Sequence, residues 1–492
     1  MHPSPAGIYT AAQVRALDRG AIERHGLPGY ELMTRAGHAA LNALRHAWPY
    51  ARTLSVFCGP GNNGGDGYVL ARIARAQGLH VHTVALAAPD TLQGDARRAY
   101  EEFAAAGGQC EHWSPGSARF GDVVVDAIFG TGLTRDIDGP IAEVVAAINA
   151  SGRPVLAVDI PSGLHADEGR TLGIAVRADL TVTFIGRKLG ACLGHGPDVV
   201  GHLEFDDLGV PAALYDEVPR TLSLLDAGVV AAALPRRPRS AHKGRHGHVL
   251  IVGGAAGMGG AARMAGEAAL RAGAGLVTVA VHPQSLQAMI GRPELMTAAI
   301  GSVADLEQAL TRADVVAAGP GLGQSPWAME GLATVLAAEK PLVLDADALN
   351  LLAFNPAVRE QWVLTPHPGE AARLLGTDVE TIQRDRLDAV AKLQARYGGT
   401  VVLKGAGSLV QTPDAGGWLC DRGNPGMATA GMGDVLTGVI AGIAAQCGDL
   451  SLAARAGVFV HATAGDRAAA VGERGLVAGD VIDELRACVN PR

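Results

Sequence analysis

At 492 residues the chain exceeds the usual size of one domain and points to two or three. Hydrophobic residues make up 48% and charged ones 18%, a balance that supports a sizeable core and excludes disorder. With 41 basic against 49 acidic side chains, the net charge of −8 gives no global reason to bind nucleic acid or an anionic membrane.

Apolar runs in the first half read as parallel strands buried on both faces. Residues 10–48 look helical, with Ala11, Val14, Leu17, Ile22, Leu32, Ala36, Ala40 and Leu44 at near-helical spacing. Thr53–Cys58 reads as a strand and Gly67–Gln77 as the helix after it. Val81–Ala85, Val123–Ala127, Val155–Asp159 and Leu180–Phe184 read as further strands. A soft boundary spans about 208–240, with Gly209-Val-Pro211 and a basic, proline-rich patch from Leu234 to Ser240. The alternation then restarts. Val249–Gly253, Leu276–Val281, Val315–Ala318, Leu342–Asp345, Trp362–Thr365 and Val401–Lys404 read as strands, and Ala261–Ala272 as a helix. Two fused α/β domains follow from this pattern, both rich in glycine loops. The six cysteines are scattered without a C-x-x-C pair, which fits reduced thiols in a cytoplasmic protein. No secretory signal and no apolar stretch of membrane-spanning length is visible.

In the first half three segments carry chemistry, each after a strand. Cys58-Gly-Pro-Gly-Asn-Asn-Gly-Gly-Asp66-Gly joins a strand to a helix, a context in which main-chain amides receive a phosphate. It matches neither the G-x-G-x-x-G nor the Walker pattern. Val-Val-Val-Asp126-Ala-Ile-Phe-Gly130-Thr-Gly and Val-Leu-Ala-Val-Asp159-Ile-Pro-Ser162-Gly each put a carboxylate at a strand's carboxyl end, the edge where open α/β sheets bind ligands. Oxygen-bearing Asn63, Asp126 and Ser162 suit a hard cation. Each aspartate alone would read as a helix cap.

Gly-Asn-Asn-Gly-Gly-Asp-Gly, Val-Asp-Ala-Ile-Phe-Gly-Thr-Gly-Leu and Asp-Ile-Pro-Ser-Gly-Leu together resemble the NAD(P)H-hydrate epimerase family, over roughly residues 8–215. The resemblance implies a Rossmann-like three-layer α/β fold and interconversion of the R and S epimers of hydrated NADH and NADPH, assisted by potassium (K+). It implies that Asn63, Asp126 and Ser162 hold potassium. Asn62, Asn63, Gly64, Gly65 and Asp66, then Gly130, Thr131, Gly132, Leu133, Thr134, Arg135 and Asp136, and also Asp159, would contact substrate. Asp159 is the candidate acid/base, because epimerisation at C6 requires the C–O bond or the ring to open and reclose.

In the second half the stretch from Asn424 to Gly438 is the most informative. Three of its four glycines precede an apolar segment that reads as a helix, whose amino end would offer unpaired amides to an anion. Asp434 is misplaced in such an anion cradle unless it removes a proton or helps hold a cation. A lone Gly-Asp would read as a cap. Lys404-Gly-Ala-Gly-Ser408 could receive a phosphate through a point charge and amide donors. His367, between two prolines and near Glu370, reads as a ligand contact.

His-Lys-Gly-x-x-Gly-His-Val, Gly-Pro-Gly-Leu-Gly, Asp-Ala-Asp-Ala-Leu-Asn, Thr-Pro-His-Pro-Gly-Glu and Ala-Thr-Ala-Gly-Met-Gly-Asp resemble the ADP-dependent NAD(P)H-hydrate dehydratase family, over about 235–490. The implied fold is ribokinase-like. By resemblance Ala261, Gly321, His367 and Asp434 touch the hydrate, while Lys404, Gly405, Ala406, Gly407, Ser408 and Gly433 hold the adenine nucleotide. Ala241 departs from the pattern, where serine is expected before His242. ADP would be the co-substrate and magnesium (Mg2+) would bridge its phosphates.

The combined expectation is a bifunctional metabolite-repair enzyme. It has an epimerase domain over 1–215, a linker over 216–240 and a dehydratase domain over 241–492. Its substrates are the hydrates of NADH and NADPH with ADP, it has no nucleic-acid or membrane partner, and it forms a homo-oligomer. Three rivals stay open. The second half alone also permits a small-molecule kinase. The first half could be a non-catalytic nucleotide sensor. The patch Arg236–Arg245 could bind nucleic acid.

Overall fold

The computed structural model describes residues 7–114, 120–414 and 416–490. The chain separates into two compact units, Met1–Leu222 and Ser223–Arg492.

The first unit holds a seven-stranded sheet in the order Cys110–His112, His80–Ala85, Thr53–Cys58, Val123–Ala127, Val155–Val158, Leu180–Phe184, His202–Asp206. Every neighbouring pair is parallel. Alternate strand residues enter two cores. Leu54, Val56, Val123, Val125, Leu156 and Val158 pack with the helices Gly29–Ala47 and Asn62–Ala76, and Phe57, Val124 and Val155 pack on the other face with Gly139–Ala150. This is a three-layer α/β sandwich. The chain order reverses between Thr53–Cys58 and Val123–Ala127, so the crevice at their carboxyl ends is the topological switch point.

The second unit contains the ordered run Met296–Ala299, Leu276–Val281, His248–Gly253, Val315–Ala318, Leu342–Leu344, Trp362–Leu364, Thr400–Leu403, all parallel. Two antiparallel strands, Ser408–Gln411 and Gly417–Cys420, extend it. Val249, Ile251, Val277, Val315 and Val343 pack with the helices Gly259–Arg271, Met432–Cys447 and Leu450–Ala468. Their strand neighbours Leu250, Val316 and Leu344 are equally buried.

Several boundaries differ from the sequence reading. The helix expected from Gly67 begins at Asn62, so the expected Asn62–Asp66 loop is its first turn, capped by Gly61. Close packing explains how glycines come to occupy it. A Cβ on Gly64 would meet the Gly59 carbonyl at 2.1 Å, and one on Gly65 would meet Met33 at 2.6 Å. The expected linker carries a short strand, Leu222–Leu224, and a helix, Ala227–Ala233, capped by Asp226 and packed into the second core. The amphipathic reading of 10–48 yields Ala11–Glu23 and Gly29–Ala47, but Ile22 is 41% exposed.

Candidate active sites

The exposed Ile22 has a reason. It lines a cleft of about 630 Å³ in the first unit, formed where the strand carboxyl ends meet the helix Ala11–Glu23. Of the residues singled out from sequence, Asn62, Asn63, Asp66, Gly130, Thr131, Gly132, Leu133, Thr134, Arg135 and Asp159 line it. Gly64 and Gly65 are buried, and Asp136 faces outward, 3.9 Å from Arg170. Asp159 follows the strand Val155–Val158 with φ of 69°, a left-handed conformation that costs a non-glycine residue roughly 1–2 kcal/mol. Two contacts hold it there. Its carboxylate accepts from the Phe184 amide at 3.3 Å and pairs with the ammonium of Lys188, which also donates to the Phe184 carbonyl at 2.8 Å. The Lys188 side chain is 1% exposed, so its charge is directed at Asp159 rather than at solvent.

Beneath the cleft Asp126 is fully buried. Its oxygens accept from the Ser162 hydroxyl at 2.6 Å and the Ser162 amide at 2.8 Å. Burial pushes its carboxyl up to about 6, against the lowering effect of those bonds. Asn63 is also buried, and neither its amide oxygen nor its nitrogen has a hydrogen-bond partner. An orphaned amide costs about 1–3 kcal/mol unless something satisfies it. An oxygen-seeking cation would use Asn63 Oδ1, so the donor set suits potassium.

In the second unit a cleft of about 370 Å³ lies at the carboxyl ends of Leu342–Leu344, Trp362–Leu364 and Thr400–Leu403. Asp345, His367, Glu370, Lys404, Gly405, Gly433 and Asp434 line it. The helix Met432–Cys447 points its amino end here, after Gly431 at φ of 90°, so its first-turn amides have no intrahelical acceptor. A Cβ on Gly433 would come within 3.2 Å of Lys404 Nζ and 3.3 Å of Asp345 Oδ2. Only glycine keeps this approach open.

Lys404, read from sequence as a point charge for a phosphate, is already ion-paired within the cleft. Its ammonium donates to Asp345 Oδ1 at 2.6 Å and lies 3.7 Å from Glu370 Oε2. Thr437 donates to the other Asp345 oxygen at 2.8 Å. Lys404 and these hydrogen bonds hold Asp345 low despite burial, whereas burial raises Glu370. Asp434 gains no such partner. Burial, reinforced by Asp345, pushes its carboxyl up to about 7. The loop after Lys404 is fixed from behind by Arg386, whose guanidinium donates to the carbonyls of Leu403, Lys404 and Gly407 at 3.3–3.4 Å.

His367 caps the helix Pro368–Leu375. Its Nδ1 accepts from the amides of Gly369 at 2.9 Å and Glu370 at 3.4 Å. The neutral ring therefore carries its proton on Nε2, and burial, then Lys404, lowers its pKa so that it stays neutral at pH 7. Ala406 is exposed, and Ser408 opens the strand Ser408–Gln411 with its hydroxyl on the Gly405 carbonyl at 2.9 Å. Ala261 and Gly321 lie against one another, where a Cβ on Gly321 would sit 3.2 Å from that of Ala261. The basic patch lies elsewhere: Arg236, Arg237, Arg245 and His246 line a separate, open cavity of about 1010 Å³. Sequence reading missed Asp18, Lys188, Asp345, Glu370 as an ion-pair partner, Arg386 and Thr437. Strand-end position signalled Asp345, but nothing in the sequence signalled the pairings.

Among the described residues no group of three or more His, Cys, Asp or Glu converges to hold a metal, and no helix is long and apolar enough to cross a membrane. No disulfide joins the six cysteines.

Two family models match the chain: one described as NAD(P)H-hydrate dehydratase over residues 249–486, the other as the YjeF-related protein N-terminus over 29–190. Full-length relatives include the bifunctional NAD(P)H-hydrate repair enzyme Nnr of Coxiella burnetii, 48% identical over 98% of this chain and 99% of that protein. The protein of the same name from Escherichia coli is 45% identical over 99% of this chain and 95% of its own length. A solved ribokinase-like superfamily protein from Enterococcus faecalis, 30% identical, superposes with a TM-score of 0.51 over 54% of this chain and 94% of its own. Sequence kinship over the whole length, together with two clefts at two sheet edges, gives one conclusion: the chain belongs to the bifunctional NAD(P)H-hydrate repair enzymes, an NAD(P)H-hydrate epimerase domain followed by an NAD(P)H-hydrate dehydratase domain.

Proposed function

We propose that Asp434 is the base of the dehydratase, and that ADP is its co-substrate. The observation that carries this reading is one carboxyl, raised to about 7, in the first turn of a helix whose free amides face the same cleft. Hydroxide leaves poorly, so water loss from a stable hydrate benefits from making the hydroxyl a phosphate ester. Asp434 takes the proton of the C6 hydroxyl as that oxygen attacks the terminal phosphorus of the nucleotide. The amides of Met432 and Gly433 bind the charge on the transferring group. Phosphate then departs as the N1 lone pair forms an iminium, and loss of the C5 proton restores the ring double bond. The sum is S-hydrate plus ADP giving NAD(P)H, AMP and phosphate.

In the same reading His367 Nε2, Ala261 and Gly321 contact the hydrate, and Lys404–Ser408 with Gly433 hold the nucleotide. Lys404 acts mainly by fixing Asp345 and Glu370, because its charge is already taken up by them. The residues present offer magnesium no ligand set of their own, so no step is drawn through it.

In the first domain Asp159 is the acid/base. The loops at Asn62–Asp66 and Gly130–Asp136 contact the hydrate, and Asn63, Asp126 and Ser162 hold potassium. That ion would supply a fixed positive charge beneath the reacting ring. The epimerase extends over 1–215 and the dehydratase over 241–492, with 216–240 between them.

The test is to incubate the protein with enzymatically hydrated NADH and either ADP or ATP, following recovery of the reduced nicotinamide absorbance. Recovery with ADP supports the reading. Recovery with ATP alone, or accumulation of a stable phosphorylated product, overturns it in favour of an ATP-dependent dehydratase or a kinase.

A further inference from the structure

The epimerase cleft holds a carboxyl that the reading above does not use. Asp18 lies on the helix Ala11–Glu23, whose residues Val14, Arg15, Asp18 and Ile22 form one stripe along the cleft wall. Asp66 and Asp159 line the same cleft from other elements. Lys188 is the buried cation among these three carboxyls, and it donates to Asp159. Neither Asp18 nor Asp66 accepts a hydrogen bond from any described residue.

Charge counting then constrains protonation. Three neighbouring acids sharing one buried ammonium cannot all ionise at once. Lys188 bonds directly to Asp159, so Asp18 and Asp66 are the two carboxyls left without that ammonium as a bonded partner. Charged groups facing Asp18 are Arg15 on its own helix, then Lys188, Asp159 and Asp66; Asp95 and Arg135 stand at the same cleft. Burial moves both spare carboxyls upward, but differently. Asp18 is raised to about 6, within reach of exchange near neutral pH, while Asp66 goes well above its ordinary value. Of the two, Asp18 is the carboxyl placed to exchange its proton near neutral pH.

We propose that Asp18 is a second catalytic residue of the epimerase, the proton donor to the ring nitrogen that works with the Lys188-paired carboxylate of Asp159. This rests on the reading of Asp159 as base. Asp159 takes the proton of the C6 hydroxyl. The freed oxygen pair becomes the C6=O bond, the C6–N1 bond breaks with its pair on N1, and N1 takes the proton of Asp18. Rotation about C5–C6 turns the other face of the aldehyde toward N1. Closure reverses every transfer: N1 attacks C6, its proton returns to Asp18, and the oxygen regains a proton from Asp159. Nothing is oxidised or reduced, and both residues end as they began. A reaction that must run in both directions needs one charged and one neutral acid, the pair formed by Asp159 and Asp18 when Asp18 carries its proton.

The test uses the full-length protein and R-NADH hydrate, with appearance of the S epimer as readout. Asp18→Asn should lower epimerisation kcat by about 10²-fold or more with little change in KM. It should also remove the alkaline limb that wild type has near pH 6 in kcat/KM. Asp18→Glu should restore part of the rate and the limb. Dehydration of pure S-hydrate by the same preparation should be unchanged, which reports an intact chain. Wild-type epimerisation by Asp18→Asn overturns the proposal. So does a lost rate with the alkaline limb intact, since that is a structural effect. Asp159→Asn separates the two readings. If it is inactive while Asp18→Asn is normal, only the Asp18 role fails. If it is active while Asp18→Asn is not, the base has been misassigned and the Asp18 donor survives.

Discussion

The two clefts are built on one electrostatic device with opposite wiring. Each holds a largely buried lysine among several carboxyls at the carboxyl ends of parallel strands. In the first, Lys188 bonds directly to the candidate base Asp159. In the second, Lys404 bonds to Asp345 and lies near Glu370, which leaves Asp434 outside the pairing and raised to about 7. The wiring decides which acid is poised. A carboxylate held in an ion pair is the weaker base. An unpaired, desolvated one is a stronger base that is half-protonated near neutrality. The walls differ too: Ile22, Leu32, Met33 and Phe129 line the first cleft, whereas the second is smaller and lined by Gly405, Gly431 and Gly433 beside its charged groups.

The contrast can be broken in five ways. Asp434→Asn should reduce dehydration by about 10³-fold or more, while leaving ADP affinity within a few-fold and epimerisation untouched. Unchanged turnover in that variant rules out its role as base. Asp159→Asn should cut epimerisation by about 10²-fold or more yet spare dehydration of pure S-hydrate, measured on the same preparation. Lys404→Met removes the cation from two buried carboxyls, and denaturant titration should register a loss of about 3–5 kcal/mol. A loss below about 1 kcal/mol would mean that Lys404 is not the strut inferred here.

The fourth concerns pH. Because the Asp434 carboxyl is raised, and must be unprotonated to accept a proton, dehydration kcat/KM should rise about tenfold per pH unit below roughly 7 and level off above it. Asp434→Asn should abolish that limb. The smallest effect belongs to Ala346→Gly. Ala346 has φ of 48°, and relieving that strain gains about 1 kcal/mol, which glycine's freedom in the unfolded chain offsets by about 0.5–1 kcal/mol. Thermal unfolding should therefore change little.

What the sequence disclosed, and what it hid, follows from range. Glycines and acids beside an apolar run are local signals, so Asp126, Asp159, Asp345 and Asp434 could all be read as strand-end or helix-start residues. The pairings could not. Lys188 sits 29 residues from Asp159, and Lys404 sits 59 from Asp345, and no local pattern links them. Asp18 hid for another reason. It lies on an ordinary amphipathic helix, where a carboxyl flanked by arginines reads as a solvated face. The start of the helix at Asn62 was concealed by glycine's poor helix propensity, which packing against Gly59 and Met33 overrides. The two antiparallel strands after Lys404, Ser-Leu-Val-Gln and Gly-Trp-Leu-Cys, lack the uninterrupted apolar run that made the parallel ones legible.

The most direct test is a crystal structure of the protein with ADP bound in the second domain. The account predicts the terminal phosphorus directed at the Asp434 carboxylate, with its oxygens on the first-turn amides of the helix that starts at Met432. A terminal phosphate turned away from Asp434, toward the far side of the cleft, would contradict it.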